Sequence, residues 1–216
     1  MIPYITSVGN TTVSIGGDDG EPYTEEGDEK FRERIRLAPA AQSTAGPESA
    51  YRYFALSADP EIIDVAIDNP EANTINIYPL MRGGVIPDEE TLTKVEETCS
   101  DDDVRPMSDK VTAIAPTQVS YDIELKYYCT QDNEAETIKA VEGEGGAIDQ
   151  YNEWQTSALN RDINPDQLKR LILSPNDGLT GADRVDITKP TFKEIGKNEV
   201  PKFSGTLTVS HEVTTS

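Results

Sequence analysis

Strict alternation of apolar and polar residues over residues 119–129 constrains the fold more than any other feature of this 216-residue chain. Side chains of a strand point alternately to the two faces of a sheet, so this pattern predicts a strand with one buried and one wet face. Such a strand must pair with others and be covered on its apolar face. The apolar phase consists of Val119, Tyr121, Ile123, Leu125, Tyr127 and Cys129.

The residues that follow this strand predict helices and then further strands. A helical pattern begins near Asn133, and the glycine patch 143–146 divides it into two helices or bends one long helix. Asn164 and Pro165 predict the start of another helix, and alternation returns around 185–187 and over 207–213. We therefore expect residues 116–216 to form a compact α+β unit with helices over one face of a small sheet.

The only histidine, His211, lies on the apolar phase of the last predicted strand. We expect a buried or interface histidine there. A general base is less well supported, because the sequence shows no Ser or Cys nucleophile motif to partner it.

Residues 1–115 also mix helices with short strands. A strand near 11–15 precedes an acidic turn, and a helix capped by Asp28 is expected to turn Phe31 and Ile35 inward and its arginines outward. A hairpin is predicted from alternation over 63–67 and 75–77. A helix beginning at Asp88 and a strand over 111–114 complete the unit, so the chain reads as two small α+β domains, with helices on small mixed or antiparallel sheets, divided at Pro116.

Residues 43–60 carry several unusual residues at fixed spacing but no catalytic chemistry. Gly46 and Pro47 predict a sharp helix start, because proline suits the first helical position. The residue before Pro60 avoids the α region, so the helix should end near Asp59. Between them, a narrow apolar face with small residues is expected to pack closely against a neighbour. That face comprises Ala50, Tyr51, Phe54, Ser57 and Ala58.

Composition excludes several classes of partner. Forty acidic residues against 19 basic ones give a formal charge of −21, which argues against binding nucleic acid or an anionic membrane surface. The first residues do not resemble a signal peptide, and no apolar run approaches the length of a membrane span, so we expect a cytoplasmic chain. Cys99 and Cys129 are too few for a disulfide framework or a zinc site and are expected in the cores.

Acidic clusters and glycines give little support for a catalytic or cofactor site. The acidic turn 16–21 lacks the spacing of a calcium-binding EF-hand loop, and the glycine patch 143–146 lacks the Lys-Ser/Thr of a phosphate loop. A hydrolase would need two carboxylates across a cleft. The candidates are Glu25 with Glu26 and Asp101 with Asp103, and no sequence feature pairs either set.

Several segments, taken in chain order from about residue 16 to the end, resemble the baseplate J-like proteins of contractile-tailed phages and related injection systems. The segments that carry the resemblance are residues 16–21, 29–35, 43–60, 59–65, 103–111, 115–123, 160–163 and 184–187. The resemblance implies that 1–115 is the J-like central domain and 116–216 the C-terminal domain. This chain departs from the family pattern in one respect. Family members usually carry a further N-terminal portion before the segment that corresponds to Gly16-Gly17-Asp18.

The resemblance implies a structural component of the baseplate wedge, with no enzymatic activity and no cofactor. It implies several copies around a hub, contacts with other wedge and hub proteins, self-association, and a place in the tail baseplate of a virion assembled in the bacterial cytoplasm. A receptor- or glycan-binding module at the tail tip, and an acidic cell-wall hydrolase, remain alternatives. The candidate interface or structural residues are Gly46, Pro47, Tyr51, Phe54, Asp59 and Arg105.

Overall fold

The computed structural model describes residues 28–39, 48–100, 109–175 and 179–214, and the backbone alone of 12–14 and 23–25. The chain forms two compact units, Met1–Pro116 and Thr117–Ser216. The described residues contain six α-helices, two three-stranded mixed sheets and a two-stranded sheet. The predicted α+β class is therefore confirmed.

The first unit places three helices beside a small sheet. Strand β3 and strand β4 form the predicted antiparallel hairpin, and Asn73 has a positive φ of 63° in its turn. Strand β5 pairs parallel to β4, with helix α3 between them in the chain, because parallel neighbours need a long crossover. The elements are β1 (Thr12–Ser14), β2 (Tyr23–Glu25), α1 (Asp28–Leu37), α2 (Glu48–Ala58), β3 (Ile62–Glu71), β4 (Thr74–Met81), α3 (Glu89–Ser100) and β5 (Lys110–Ala113).

Helix α3 follows its predicted pattern. The carboxylate of Asp88 accepts a hydrogen bond from the backbone N–H of Thr91 at 2.8 Å, which satisfies one of the free donors at a helix start. Val95 and Cys99 are fully buried in the core of the unit. The cysteine is free, as predicted, and burial raises the pKa of its thiol to about 12.

Helix α1 contradicts the predicted inward face. Lys30, Arg34 and Leu37 are its buried residues, whereas Ile35 is 44% exposed. The Lys30 ammonium donates to the carbonyl of Asp59, just beyond the end of α2. The last carbonyls of a helix have no partner within it and carry partial negative charge, so they favour cations. Tertiary contact with a helix end therefore overrides the apolar periodicity of α1.

The second unit covers one face of its sheet with three helices. Strand β6 is central, pairing antiparallel with β7 and parallel with β8. Tyr121, Ile123, Leu125, Tyr127 and Cys129 are buried, which confirms the alternation predicted for this strand. The elements are β6 (Thr117–Thr130), α4 (Glu134–Glu142), α5 (Ala147–Thr156), α6 (Pro165–Leu173), β7 (Arg184–Lys189) and β8 (Glu199–Thr214).

The glycine patch separates α4 from α5, so the predicted interruption yields two helices. A Cβ at Gly143 would lie 2.4 Å from the carbonyl oxygen of Lys139, and Gly145 has a φ of 71°. Both positions thus require glycine. The predicted start of α6 is also confirmed, because the Asn164 side chain accepts from the N–H of Asp166 at 2.9 Å.

Strand β8 is longer than predicted and less buried. It lies at one edge of its sheet, and Leu207 on the helix-facing phase is 50% exposed. His211 occupies the same phase with 31% of its side chain exposed, so the prediction of a buried histidine is wrong. The interface alternative for His211 stays a prediction. The helices cover central β6 more fully than they cover this edge.

Candidate interaction site around helix α2

Helix α2, the centre of the predicted motif, packs through small residues. Ala50, Tyr51, Ala55 and Leu56 are buried, with Ala55 completely inaccessible. Small side chains on this face allow neighbouring elements to approach closely. The predicted face is therefore right in part: Ala50 and Tyr51 are buried, whereas Phe54, Ser57 and Ala58 are only partly buried. Ala55 and Leu56 are buried instead.

Tyr51 joins three elements from within the core. Its side chain is 1% exposed, and its hydroxyl donates to the Asp109 carboxylate at 2.7 Å, just before β5. Its backbone carbonyl accepts a weak hydrogen bond from the Cys99 thiol of α3 at 3.8 Å. Since a buried tyrosine hydroxyl needs a polar partner, Asp109 makes this position compatible with tyrosine. Tyr51 thus holds the unit together from inside and presents almost no surface.

Arg52 forms the main ionic contact of the site. Its guanidinium donates to Asp64 of β3 at 2.7 Å and to Glu33 of α1 at 3.1 Å. It also donates to the carbonyl of Val65. These side chains are largely shielded, with 28% of Arg52, 27% of Glu33 and 15% of Asp64 exposed. A planar guanidinium donates in several directions, so one side chain ties α2 to both α1 and β3.

The contacts within this cluster lower the pKa of Glu33 and raise the pKa of Arg52. Burial alone would raise the pKa of Glu33, but hydrogen bonds from Arg36 and Arg52 outweigh it and hold that pKa below its ordinary value. Burial would lower the pKa of Arg52, whereas the adjacent carboxylates of Asp64 and Glu33 raise it. Each charged form is therefore stabilised by its partners in the folded chain.

The end of α2 is closed by the Asp59 turn. The Asp59 carboxylate accepts from the backbone N–H of Glu61 at 2.8 Å, an arrangement that stabilises a turn before β3. Its carbonyl receives the ammonium of Lys30 from α1. Asp59 therefore acts on local backbone geometry at the end of α2.

An aromatic pair lies on the less buried side of α2. The rings of Tyr53 and Phe54 meet edge to face with centroids 5.3 Å apart. The Arg34 guanidinium lies 6.0 Å from the centroid of the Tyr53 ring and 3.4 Å from the Ser57 hydroxyl. Arg34 of α1 is buried, so on this side of α2 the partly exposed surface comes from the aromatic pair.

Several predicted site residues lie outside the described residues. They are Gly46, Pro47 and Arg105, the hydrolase candidates Glu26, Asp101 and Asp103, and the acidic turn 16–21; for Glu25 the backbone alone is described. Sequence reasoning missed Arg52. The available signal was a single arginine within the otherwise apolar and small residues of 50–58.

The second unit offers two other surfaces. A cavity of about 340 Å³ is lined by Tyr121, Ile163, Lys189, Pro190 and Lys193, among others, beside the 58% exposed Phe192. The open face of the sheet carries paired charges: Lys126 with Glu212 at 2.6 Å, Lys189 with Asp122 at 3.0 Å, and Arg184 with Asp186 at 3.1 Å. Arg184 also stacks 3.8 Å above the Tyr128 ring.

Within the described residues, no group of three or more His, Cys, Asp or Glu side chains is arranged to hold a metal ion. His211 contacts Glu134 at 3.2 Å and stacks on Tyr127, with ring centroids 5.5 Å apart. No helix among the described residues is both long and apolar enough to cross a membrane.

Comparison with known proteins finds a family match over α2 to β5. Residues 43–115 match the family described as the baseplate J-like central domain, which confirms the predicted resemblance. The chain is 29% identical over 172 residues to baseplate protein J of Escherichia phage P2, which covers 78% of this chain and 54% of that protein. It thus spans about half the length of this curated relative.

A solved structure shares the fold. A chain in the cryo-EM structure of the anti-feeding prophage baseplate, 6-fold symmetrised, matches with a TM-score of 0.55 at 14% sequence identity. The match covers 83% of this chain and 42% of that chain. Because 83% of the chain is longer than either unit alone, the match extends into both units.

Proposed function

We propose that the chain is a non-enzymatic structural component of a contractile-tail baseplate wedge that acts through protein–protein interfaces. The observation that carries the proposal is the match of residues 43–115 to the baseplate J-like central domain. The relative from phage P2, which is named a baseplate protein, supports it over a longer span. In this proposal, 1–115 is the J-like central domain and 116–216 the C-terminal domain.

The packing around α2 supports a role in which shape and rigidity matter. Arg52 ties α2 to α1 and β3, and Tyr51 ties it to α3 and to Asp109. A rigid scaffold lowers the entropy lost when a surface is buried against a partner. In this proposal Gly46, Pro47, Tyr51 and Asp59 set the geometry of α2 and its ends. The remaining candidates, Phe54 and Arg105, are proposed to contact other baseplate proteins.

The proposed partners are other wedge and hub proteins and further copies of the chain, in a baseplate assembled in the bacterial cytoplasm and carried in the virion. The formal charge of −21 favours partners with basic surfaces, which electrostatic steering brings together faster. No cofactor, nucleic acid or membrane has a part in the proposal.

A reconstitution tests this function. The purified chain is mixed in turn with the products of the neighbouring tail genes, and complexes are resolved by size-exclusion chromatography with light scattering. We expect a stable complex with at least one baseplate protein and none with sheath or tube subunits alone. Failure to bind any of these proteins, together with strictly monomeric behaviour, would contradict the proposal.

A further inference from the structure

Strand β8 presents a long edge that no other described strand covers. The sheet order is β7-β6-β8, so one side of β8 pairs with β6 and the other side has no partner strand among the described residues. An edge strand displays unpaired N–H and C=O groups and is a template for a further strand. Charged residues pointing inward and proline commonly protect such edges. Neither occurs over 206–214, where the inward phase reads Leu207, Val209, His211 and Val213.

The segment begins at a backbone irregularity. The register of β8 against β6 shifts between Phe203 and Leu207, and there the Asp122 carboxylate accepts from the N–H of Thr206 at 2.9 Å. A Cβ at Gly205 would lie 2.1 Å from the Asp122 carboxylate, so this irregularity requires glycine. Beyond it, β8 runs in continuous register with β6 to Thr214.

The exposed side chains of this segment indicate the kind of strand that would cover it. Leu207 is 50% exposed, and Val209 and Val213 are partly exposed, although all three face the same side as buried residues of β6. A strand added beside β8 would shield this apolar row from water. The added strand must therefore present apolar side chains at alternate positions on that same face.

We propose that the strand that covers this edge is β8 of a second copy of the chain, paired antiparallel about a two-fold axis at Ser210. This contact specifies the self-association within the proposed function and rests on it. In this register Leu207 lies opposite the second copy's Val213, and Val209 lies opposite the second copy's His211. The two sheets become one six-stranded sheet with the helices of both copies on the same face.

Alternative registers fit the sequence less well. A shift by one residue would place apolar side chains opposite polar ones on the wrong face. A shift of the two-fold axis to His211 would set the two histidines opposite each other, and a shift to Val209 would set Val213 against the irregularity at Gly205. In the Ser210 register Glu212, already paired with Lys126, lies opposite an uncharged Thr208. No like charges are directly opposed.

Disulfide trapping tests the register. In the proposed dimer the two Ser210 Cβ atoms lie about 5 Å apart, close to the reach of a disulfide. S210C should therefore cross-link into a covalent dimer under mild oxidation. T208C is the matched control, because Thr208 is exposed on the same strand and face but its two copies would be about 14 Å apart. The native cysteines are buried, and the unsubstituted chain measures their contribution.

Analytical ultracentrifugation of the full chain supplies an independent test. We expect dimers that increase with concentration, and L207K should weaken dimerisation about tenfold or more by placing a charge in the apolar row. F192K, at a 58% exposed phenylalanine outside β8, should leave it unchanged. Equal cross-linking of S210C and T208C, or a chain that stays monomeric, would overturn the pairing. A monomeric chain that still binds neighbouring baseplate proteins would overturn this contact while leaving the proposed function intact.

Discussion

Both units hold their helices against the sheet through an apolar core, but the first unit adds buried or partly buried charged side chains to it. Lys30, Arg34 and Arg52 of the first unit are buried or partly buried and donate to α2, β3 or the turn between them. The second unit instead buries a continuous cluster that includes Tyr127, Leu168 and Ile172 beneath α4 to α6. Among the described residues, the first unit therefore supplements apolar packing with buried charged side chains, and the second unit does not.

Apolar packing and buried ionic contacts place different demands on the geometry of a unit. Apolar burial is non-directional and roughly proportional to area, so the packing of the apolar cluster in the second unit does not require a defined arrangement of charges. Buried ionic contacts require a defined geometry and leave an uncompensated charge when one partner is removed. The first unit, which contains the J-like region, thus specifies the position of α2 more narrowly than apolar packing would.

The largest expected effect is in the apolar core of the second unit. Leu168→Ala removes a fully buried side chain of α6 and should lower the free energy of unfolding by about 3 kcal/mol. Urea unfolding followed by fluorescence of Trp154, the only tryptophan, reports on this unit. Leu173→Ala, at a 37% exposed position of the same helix, is the control and should cost well under half as much. Similar losses for both variants would contradict the described packing.

The next effect breaks the ionic contact of the first unit. Arg52→Met keeps much of the side-chain volume but leaves Glu33 and Asp64 partly buried without this partner. Breaking a fully buried ion pair would lower stability by more than breaking this partly exposed one. With these exposures we expect the free energy of unfolding to fall by about 2 kcal/mol. Urea unfolding followed by far-ultraviolet circular dichroism measures the change.

Arg36→Met is the matched control for Arg52, because Arg36 also pairs with Glu33 at 2.8 Å but is 69% exposed. Exposed ion pairs contribute little to stability, so Arg36→Met should lower the free energy of unfolding only slightly. Equal stability of the two variants would contradict the expectation that the partly buried contacts of Arg52 stabilise the first unit more than the exposed ion pair of Arg36 does.

A smaller effect concerns pH. The pKa of Glu33 in the folded chain lies below its ordinary value of 4.5, so its stabilising contribution is fully present above about pH 4.5. The contribution is lost as pH falls through the lowered folded pKa. The stability difference between the original chain and Arg52→Met should therefore be constant above about pH 4.5 and shrink as the pH falls below that value. A difference that stayed constant below that value would exclude a role for carboxylate ionisation.

The smallest effect tests local structure in the second unit. Asn164→Ala removes the side chain that accepts from the N–H of Asp166 and should cost about 1 kcal/mol. Asn164→Asp preserves a capping oxygen and should cost much less. Trp154 fluorescence during urea unfolding distinguishes the two variants, and equal losses would show that capping is not the cause.

The elements with strong local signals were predictable from sequence. The alternation of β6, the Asn164-Pro165 start of α6 and the glycine break between α4 and α5 each depend on residues within one element, and each appears in the structure. These signals together also predicted the α+β class of the fold. Each can be read from neighbouring residues, without knowing which residues far apart in the chain are in contact.

The candidate site was less predictable because it depends on residues far apart in the chain. Helix α1 turns Lys30 and Arg34 inward because the end of α2 needs donors, which the periodicity of α1 does not encode. Arg52 meets Glu33 and Asp64 only after α1, α2 and β3 come together. His211 follows a correct strand pattern, but its burial depends on how far the helices extend over the edge strand.

The most direct test of the account is whether the chain enters assembled tails. Cells producing the complete set of tail proteins with an epitope-tagged chain are lysed, and the particles are separated by gradient sedimentation and identified by electron microscopy. We expect the tagged chain to sediment with tail particles and the antibody to label their baseplate end. A chain found only in the slowly sedimenting fractions, with complete tails formed in its absence, would contradict the account.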